Sequence, residues 1–285
     1  MNYFMKKLLF SLCTGMFILG ASAQIQAPQP SPFSKVEQKV GLTDVTIEYS
    51  RPAMRDREIF GNLVPFDQVW RTGANENTKI TFSDDVEIGG KSLKKGTYAL
   101  YTKPGKDSWD VIFYSDATNW GTPAKWDDTK VALTATAEVS EFPLSMETFT
   151  ILLNNLKNDS AELSIVWENT MVSLPIKFPT DAKTLASIEK VMNGPSANDY
   201  FAAGSYYHDA KIDNKKALEW VNKAIEMQDG APYWMLRRKS LIQADLGMKK
   251  EAIATAKLSL AAAEKAGNAD YVKMNKDSLK EWGVE

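Results

Sequence analysis

Four of the chain's six arginines, Arg51, Arg55, Arg57 and Arg71, lie between positions 51 and 71. Apart from Arg237, Arg238 and the single histidine, every other basic side chain is lysine. A guanidinium is a rigid, permanently charged fork that matches carboxylate, phosphate or carbonyl oxygens two at a time, whereas lysine is a point charge. The surrounding sequence, Arg57-Glu58-Ile59-Phe60-Gly61 and Val69-Trp70-Arg71-Thr72-Gly73-Ala74-Asn75, reads as a long connection between strands. Long ordered loops on a rigid sheet are a usual place for function. The chemistry this suggests is a pocket in which Arg51, Arg57, Arg71 and Asn75 bind an anionic or polyhydroxylated ligand. The plainer reading is structural: the arginines tie the loop to Asp56, Glu58, Asp67 and Glu76, while Phe60 and Trp70 fill the core.

A second group follows Tyr114. Asn119-Trp120-Gly121-Thr122-Pro123 and Trp126-Asp127-Asp128 put two tryptophans and two acids outside regular strands. Indole faces stack on sugar rings and carboxylates bind hydroxyls, so Trp120 and Trp126 are candidates for a glycan site; as plain structure they lid an open end of the β domain. No catalytic residue is assigned. His208 is the only histidine and sits in a helical pattern, which argues against a Ser-His-Asp triad or a histidine-held metal. Asp84-Asp85 and Asp127-Asp128 are adjacent pairs, and neighbours in a turn seldom face each other across a scissile bond. No phosphate-cradling glycine loop or calcium loop occurs, and neither a cofactor nor a metal is expected.

The elements that must hold these groups divide in two. Up to about residue 178 apolar residues alternate, as in Val45, Ile47 and Tyr49 or Leu163, Ile165 and Trp167. Runs rich in β-branched and aromatic residues at 79–82, 97–102, 109–114, 131–137, 148–153 and 172–176 are separated by Gly89-Gly90, Lys94-Lys95-Gly96, Pro104-Gly105 and Asn158-Asp159-Ser160. This predicts many short antiparallel strands in a sandwich or barrel over 34–178, with Ile88-Gly89-Gly90-Lys91 a tight hairpin. From Asp181 the period becomes 3.6. Helices are expected over about 181–192, 197–209, 214–227, 232–246, 249–266 and 269–282, with Asp181 and Asp213 as N-caps and Pro232 in a first turn. The whole is an α+β chain in two parts.

The helical part repeats itself. A shift of thirty-five sets Phe201 on Leu236, Ser205 on Ser240, Ala217 on Ala252, Val221 on Ala256 and Ile225 on Leu260. This spacing resembles the tetratricopeptide repeat, with Leu246-Gly247 and Ala252 the best local match, against a generic helical bundle as the alternative. At the other end, Lys6-Lys7, the apolar Leu8–Leu19 and Ala21-Ser22-Ala23 read as a secretory signal cleaved before Gln24, with a proline-rich leader over 24–33. Cleavage removes Cys13, the only cysteine, and leaves 32 basic against 36 acidic residues, a formal −4. Leu12 before Cys13 argues against lipidation. That charge balance gives no pull towards nucleic acid, and no later segment reads as transmembrane. The expected location is the periplasm or the medium.

Ile59-Phe60-Gly61-Asn62-Leu63-Val64-Pro65-Phe66, Trp70 to Asn75 and Gly96-Thr97-Tyr98-Ala99-Leu100-Tyr101 closely resemble DUF2911, a domain of unknown function found in exported proteins of Bacteroidetes. The resemblance spans roughly 33–178 and implies export and a β-rich domain, but supplies no reaction. The expected function is non-enzymatic binding, with the helical tail as a surface for a protein or peptide partner. The alternative is a carbohydrate-binding or carbohydrate-active protein using the loop tryptophans.

Overall fold

The computed structural model describes residues 27–192 and 194–284. The expected signal segment, 1–23, lies outside the described residues. Among the described residues nine strands come first: β1 (Phe33–Val40), β2 (Thr43–Ser50), β3 (Ala74–Phe82), β4 (Val86–Ile88), β5 (Lys91–Leu93), β6 (Gly96–Pro104), β7 (Ser108–Tyr114), β8 (Val131–Asn154) and β9 (Ser160–Lys177). They pair antiparallel in the order β1-β2-β3-β6-β7-β8-β9-β4-β5. Alternation does its expected work: Val45, Ile47 and Tyr49 turn inward from β2 while Asp44 stays exposed and Thr46 and Glu48 half-exposed. The two-residue Gly89-Gly90 turn sets Ile88 opposite Lys91.

Two strands are longer than the expected short runs. The segments 131–137 and 148–153 belong to one strand, β8, and 163–167 and 172–176 to another, β9. Register breaks between Glu141, Met146 and Thr150 bend β8 without ending it, as bulges do. β8 therefore pairs with β7 up to Glu138 and with β9 from Val139 onward. Its remaining edge is covered by the chain leaving β2, through Met54 N–H to the Glu147 carbonyl (2.7 Å) and Phe149 N–H to the Pro52 carbonyl (2.9 Å). Both halves of the strand order bury their inner residues in one core, from Ile47 and Ile80 to Ile151, Ile165 and Ile176. Tyr49 ties the halves together: its phenol donates to the Ile151 carbonyl and accepts from the Ile151 N–H.

β6 and β7 are buried on both faces. Tyr98, Leu100, Val111 and Phe113 enter the main core, while Ala99, Tyr101, Ile112 and Tyr114 form a second cluster. The loop from 115 to 130 covers that second face, bringing Ala117 and Trp126 onto it.

Six helices follow: α1 (Thr180–Val191), α2 (Ala197–Asp209), α3 (Asn214–Glu226), α4 (Tyr233–Asp245), α5 (Lys249–Lys265) and α6 (Ala269–Glu281). The chain divides into two compact units at Phe178–Pro179. Asp213 caps α3 through the amides of Lys215 and Lys216, and Ser196 with Asp199 forms a capping box on α2. Asp181 is not a cap. α1 begins one residue earlier, at Thr180, and the Asp181 carboxylate accepts the Tyr206 hydroxyl instead. Pro232 stands just before α4 rather than inside its first turn. Matched positions of the thirty-five-residue shift share burial: Ala217 and Ala252, like Val221 and Ala256, are fully buried.

Candidate functional site

The connection between β2 and β3 is held in place by unusual backbone. Arg55, Asp56, Asp67, Thr72 and Asn75, five of the eight non-glycine residues with positive φ among the described residues, all lie in or beside it. A β-branched residue in the left-handed region is strained, and strain of this kind collects at functional sites. Thr72 is the β-branched case, at φ 56° and fully buried. Its hydroxyl donates to Trp70 O (3.3 Å) or Thr102 Oγ1 (3.1 Å), and its carbonyl accepts from Thr78 Oγ1 (2.5 Å). Trp70 is pinned by paired backbone bonds to Thr102. The turn carrying Arg71 is thus fixed on both sides.

The four arginines part company here. Arg51 donates from Nε to the Phe149 carbonyl (3.0 Å) and from its terminal nitrogen to Thr150 Oγ1 (2.7 Å), stapling the end of β2 to β8. Arg55 reaches the Pro30 carbonyl (3.0 Å), and Arg57 the carbonyls of Met54 (2.9 Å) and Ala53 (2.7 Å). The Arg71 guanidinium has no hydrogen-bond or ion-pair partner among the described residues. None of the four guanidinium groups pairs with a carboxylate among the described residues: in place of the expected ties to Asp56, Glu58, Asp67 and Glu76, Arg51, Arg55 and Arg57 bond to backbone carbonyls, and Arg51 also to Thr150. Phe60 and Trp70 do pack on the core, as the structural reading required.

Arg55, Arg57 and Arg71 line one cavity of about 390 Å³ together with Trp70 and Trp167. No Asp or Glu lines it among the described residues. Trp70 and Trp167 lie nearly parallel, at 14° and 6.0 Å between ring centroids, and Phe60 and Phe149 pack edge-on against both. The floor is therefore rigid and apolar while the walls are cationic. A low-dielectric floor strengthens the field of nearby guanidinium groups. Arg51 does not line the cavity; its Nε and one terminal nitrogen are bonded to β8.

Asn75 stands on the other side of the same turn. Its amide donates to the Ser31 carbonyl (3.1 Å) and Ser50 Oγ (3.2 Å). It lines a second cavity, of about 380 Å³, with Asn77, Glu48, Phe33 and Trp120. Trp120 is 72% exposed. Trp126 is placed differently: it packs on Tyr114 at 4.7 Å and on Tyr101 at 5.4 Å, and its Nε1–H donates to Asp128 (2.9 Å). No ring contact joins the two tryptophans among the described residues, so the loop offers one free indole, not a pair.

The acidic doublets serve turns. Asp127 accepts from the amide and hydroxyl of Thr129, which hold its carboxyl below the ordinary range; Asp85 is lowered by the Lys94 ammonium and then by the Lys95 amide. Asp84 accepts from Thr43 and Ser83 hydroxyls. In the helical unit, His208 links α2 to α4. Its Nδ1 accepts from Arg238 (2.9 Å), which leaves Nε2 to donate to Asp245 (2.9 Å). Arg238 also grips Asp209 with both terminal nitrogens. Three contributors to the two cavities, Trp167, Phe33 and Asn77, have no local sequence signal, because each sits in an ordinary strand pattern. Arg55 was visible as one of the clustered arginines but not as a lining residue.

Together the fold and these cavities define a two-unit α+β protein with a cationic, aromatic-floored pocket on its β unit. Residues 31–176 match the family described as "Protein of unknown function (DUF2911)", and the chain belongs to that family. No curated protein and no solved structure matches it.

Proposed function

We propose that this is an exported, non-enzymatic binding protein, and that the arginine-lined cavity of its β unit takes an anionic ligand. The observation that carries the reading is the partnerless Arg71 guanidinium in a cavity shared with Arg55 and Arg57 and free of lining acids among the described residues. A permanently charged group left without a counter-charge beside apolar rings gains most from an oxyanion that accepts from its fork. The groups that would otherwise suggest catalysis are engaged: the acid doublets in turns, His208 in a bridge between helices.

Calorimetric titration of the mature protein with inorganic phosphate and with acetate, at low salt, tests this. The Arg71→Gln variant should bind about ten- to a hundredfold more weakly, the value of one charged hydrogen bond. Absence of binding by the wild type overturns the reading. Export makes its own prediction: the secreted or periplasmic product begins at Gln24, as N-terminal sequencing would read.

The helical unit is proposed to be tetratricopeptide-like and to hold a protein or peptide partner. What supports this is the shared burial of Ala217 with Ala252 and of Val221 with Ala256. A partner captured by the full chain should be lost when residues 179–285 are removed; full retention by the β unit alone would sink it. The carbohydrate reading is favoured by one observation, the exposed Trp120 at the rim of the second cavity.

A further inference from the structure

The two cavities of the β unit share their walls. Pro30 and Ser31 face the arginine cavity, while Gln29 and Phe33 of the same segment face the other. Arg71, Gly73 and Ala74 line the first, and Asn75, next in the chain, lines the second. Arg71 lies at the junction. A Cβ on Gly121 would stand 2.7 Å from its terminal nitrogen and 3.7 Å from the Asn75 carbonyl. The guanidinium thus packs directly against the residue that follows Trp120. The Gly121 carbonyl is in turn fixed by the Tyr101 hydroxyl (2.9 Å). Arg71, a cation unpaired among the described residues, therefore packs on the residue that follows the exposed Trp120.

The second cavity differs in chemistry from the first. Glu48, Glu76, Asn75 and Asn77 supply carboxylates and amides, Lys79 an ammonium, and Trp120 and Phe33, 72% and 65% exposed, supply apolar faces. Glu76 is already paired with Lys79 at 3.3 Å. Asn77 is only 2% exposed, its amide nitrogen reaches Tyr101 Oη at 3.4 Å, and its Oδ1 has no donor among the described residues. Carboxylates and amides accept and donate to hydroxyl groups, and an aromatic face stacks on the C–H side of a sugar ring. With Lys79 held by Glu76, the carboxylate left without an ion-pair partner among the described residues is Glu48, which repels an anion; hydroxyls therefore point towards Glu48 and Asn75 Oδ1, and the anionic group towards Arg71.

We infer that the ligand is an acidic saccharide, a sugar carrying a carboxylate or phosphate, with its ring on Trp120 and its charged group on Arg71. This rests on the anion-binding reading of the arginine cavity. The mature full-length protein is titrated with five probes: inorganic phosphate, glucose 6-phosphate, acetate, glucuronate and glucose. Each acidic sugar should bind about tenfold tighter than its bare anion, the increment expected of one aromatic face. Glucose should bind more weakly than either acidic sugar, and the indole emission of Trp120 should shift with the acidic sugars alone. Trp120→Ala should erase the advantage of sugar over bare anion and leave phosphate binding unchanged. Arg71→Gln should weaken acidic sugars and bare anions alike. If glucose 6-phosphate binds no tighter than phosphate, and glucuronate no tighter than acetate, the saccharide is overturned while the anion cavity stands. Tight glucose binding overturns the acidic group. If no anion binds, both readings fall. Whichever acidic sugar binds tighter tells carboxylate from phosphate. Because Trp120 is exposed, Trp120→Ala should fold, and its far-ultraviolet dichroism and melting curve check that directly.

Discussion

Arg51 and Arg71 carry the same side chain, twenty positions apart, and the structure gives them opposite work. Arg51 donates to Phe149 O and Thr150 Oγ1, so Arg51→Ala should lower stability by about 1–3 kcal/mol in urea unfolding, leaving two bonded acceptors short of a donor. Arg71→Ala removes no internal bond and should change stability by less than about 0.5 kcal/mol. A large loss at Arg71 would return it to the scaffold. Asp116 is a third informative residue. Its carboxyl is held well below the ordinary range by the Lys130 ammonium at 2.7 Å and then by Thr118. A depressed folded pKa means that the contribution is fully present above the ordinary value of 3.8 and is lost as pH falls below it. The gap in unfolding midpoint between wild type and Asp116→Asn should therefore be widest near neutrality and close on acidification below about pH 4. A gap that does not change with pH would show that the ion pair contributes nothing.

At the scale of elements, two devices stand out. The loop over 115–130 is closed at its base by Ser115 and Lys130 and folded onto Tyr101 and Tyr114 by Trp126, which leaves Trp120 at its tip. The second device is the seam between α2 and α3. A Cβ on Gly204 would meet the Ala217 carbonyl and the Val221 side chain at 2.9 Å each. Gly204→Val should therefore force these helices apart and cost about 1–3 kcal/mol, read as an earlier loss of helical dichroism on heating. The six helices were legible in the sequence almost to the residue, because a 3.6-residue period and cap residues are local signals. The continuity of β8 was not. A bulged strand and two short strands have the same alternation, and only the pairing partners separate them.

For the whole molecule, each compact unit has a core of its own: among the described residues the β clusters draw on residues from Val36 to Phe178, and the helical cluster on residues from Phe201 to Leu246. A chain ending at 178 should keep phosphate affinity within about twofold of the full chain, since separate sites act independently. A larger loss would mean that the helical unit takes part in the anion site. The family resemblance was carried by the 59–66, 70–75 and 96–101 segments, and these fall on the strained connection and on β6.

The sequence by itself determined the division at about residue 178, the antiparallel β class, the helices and the concentration of arginine in one connection. These are encoded in period, composition and turn residues, all of which act over a few positions. Only the tertiary structure decided which arginines are free. Whether a guanidinium meets a carbonyl, a carboxylate or an open cavity depends on strands more than seventy residues away: Arg51 finds Phe149, while Arg71 faces the Trp70–Trp167 floor. It also decided that Trp126 is packed and Trp120 exposed, although only five residues separate them, because burial follows from the face of β6–β7 that the loop covers. Hydrogen-bond satisfaction and burial are settled by long-range packing, and the candidate site is built from both.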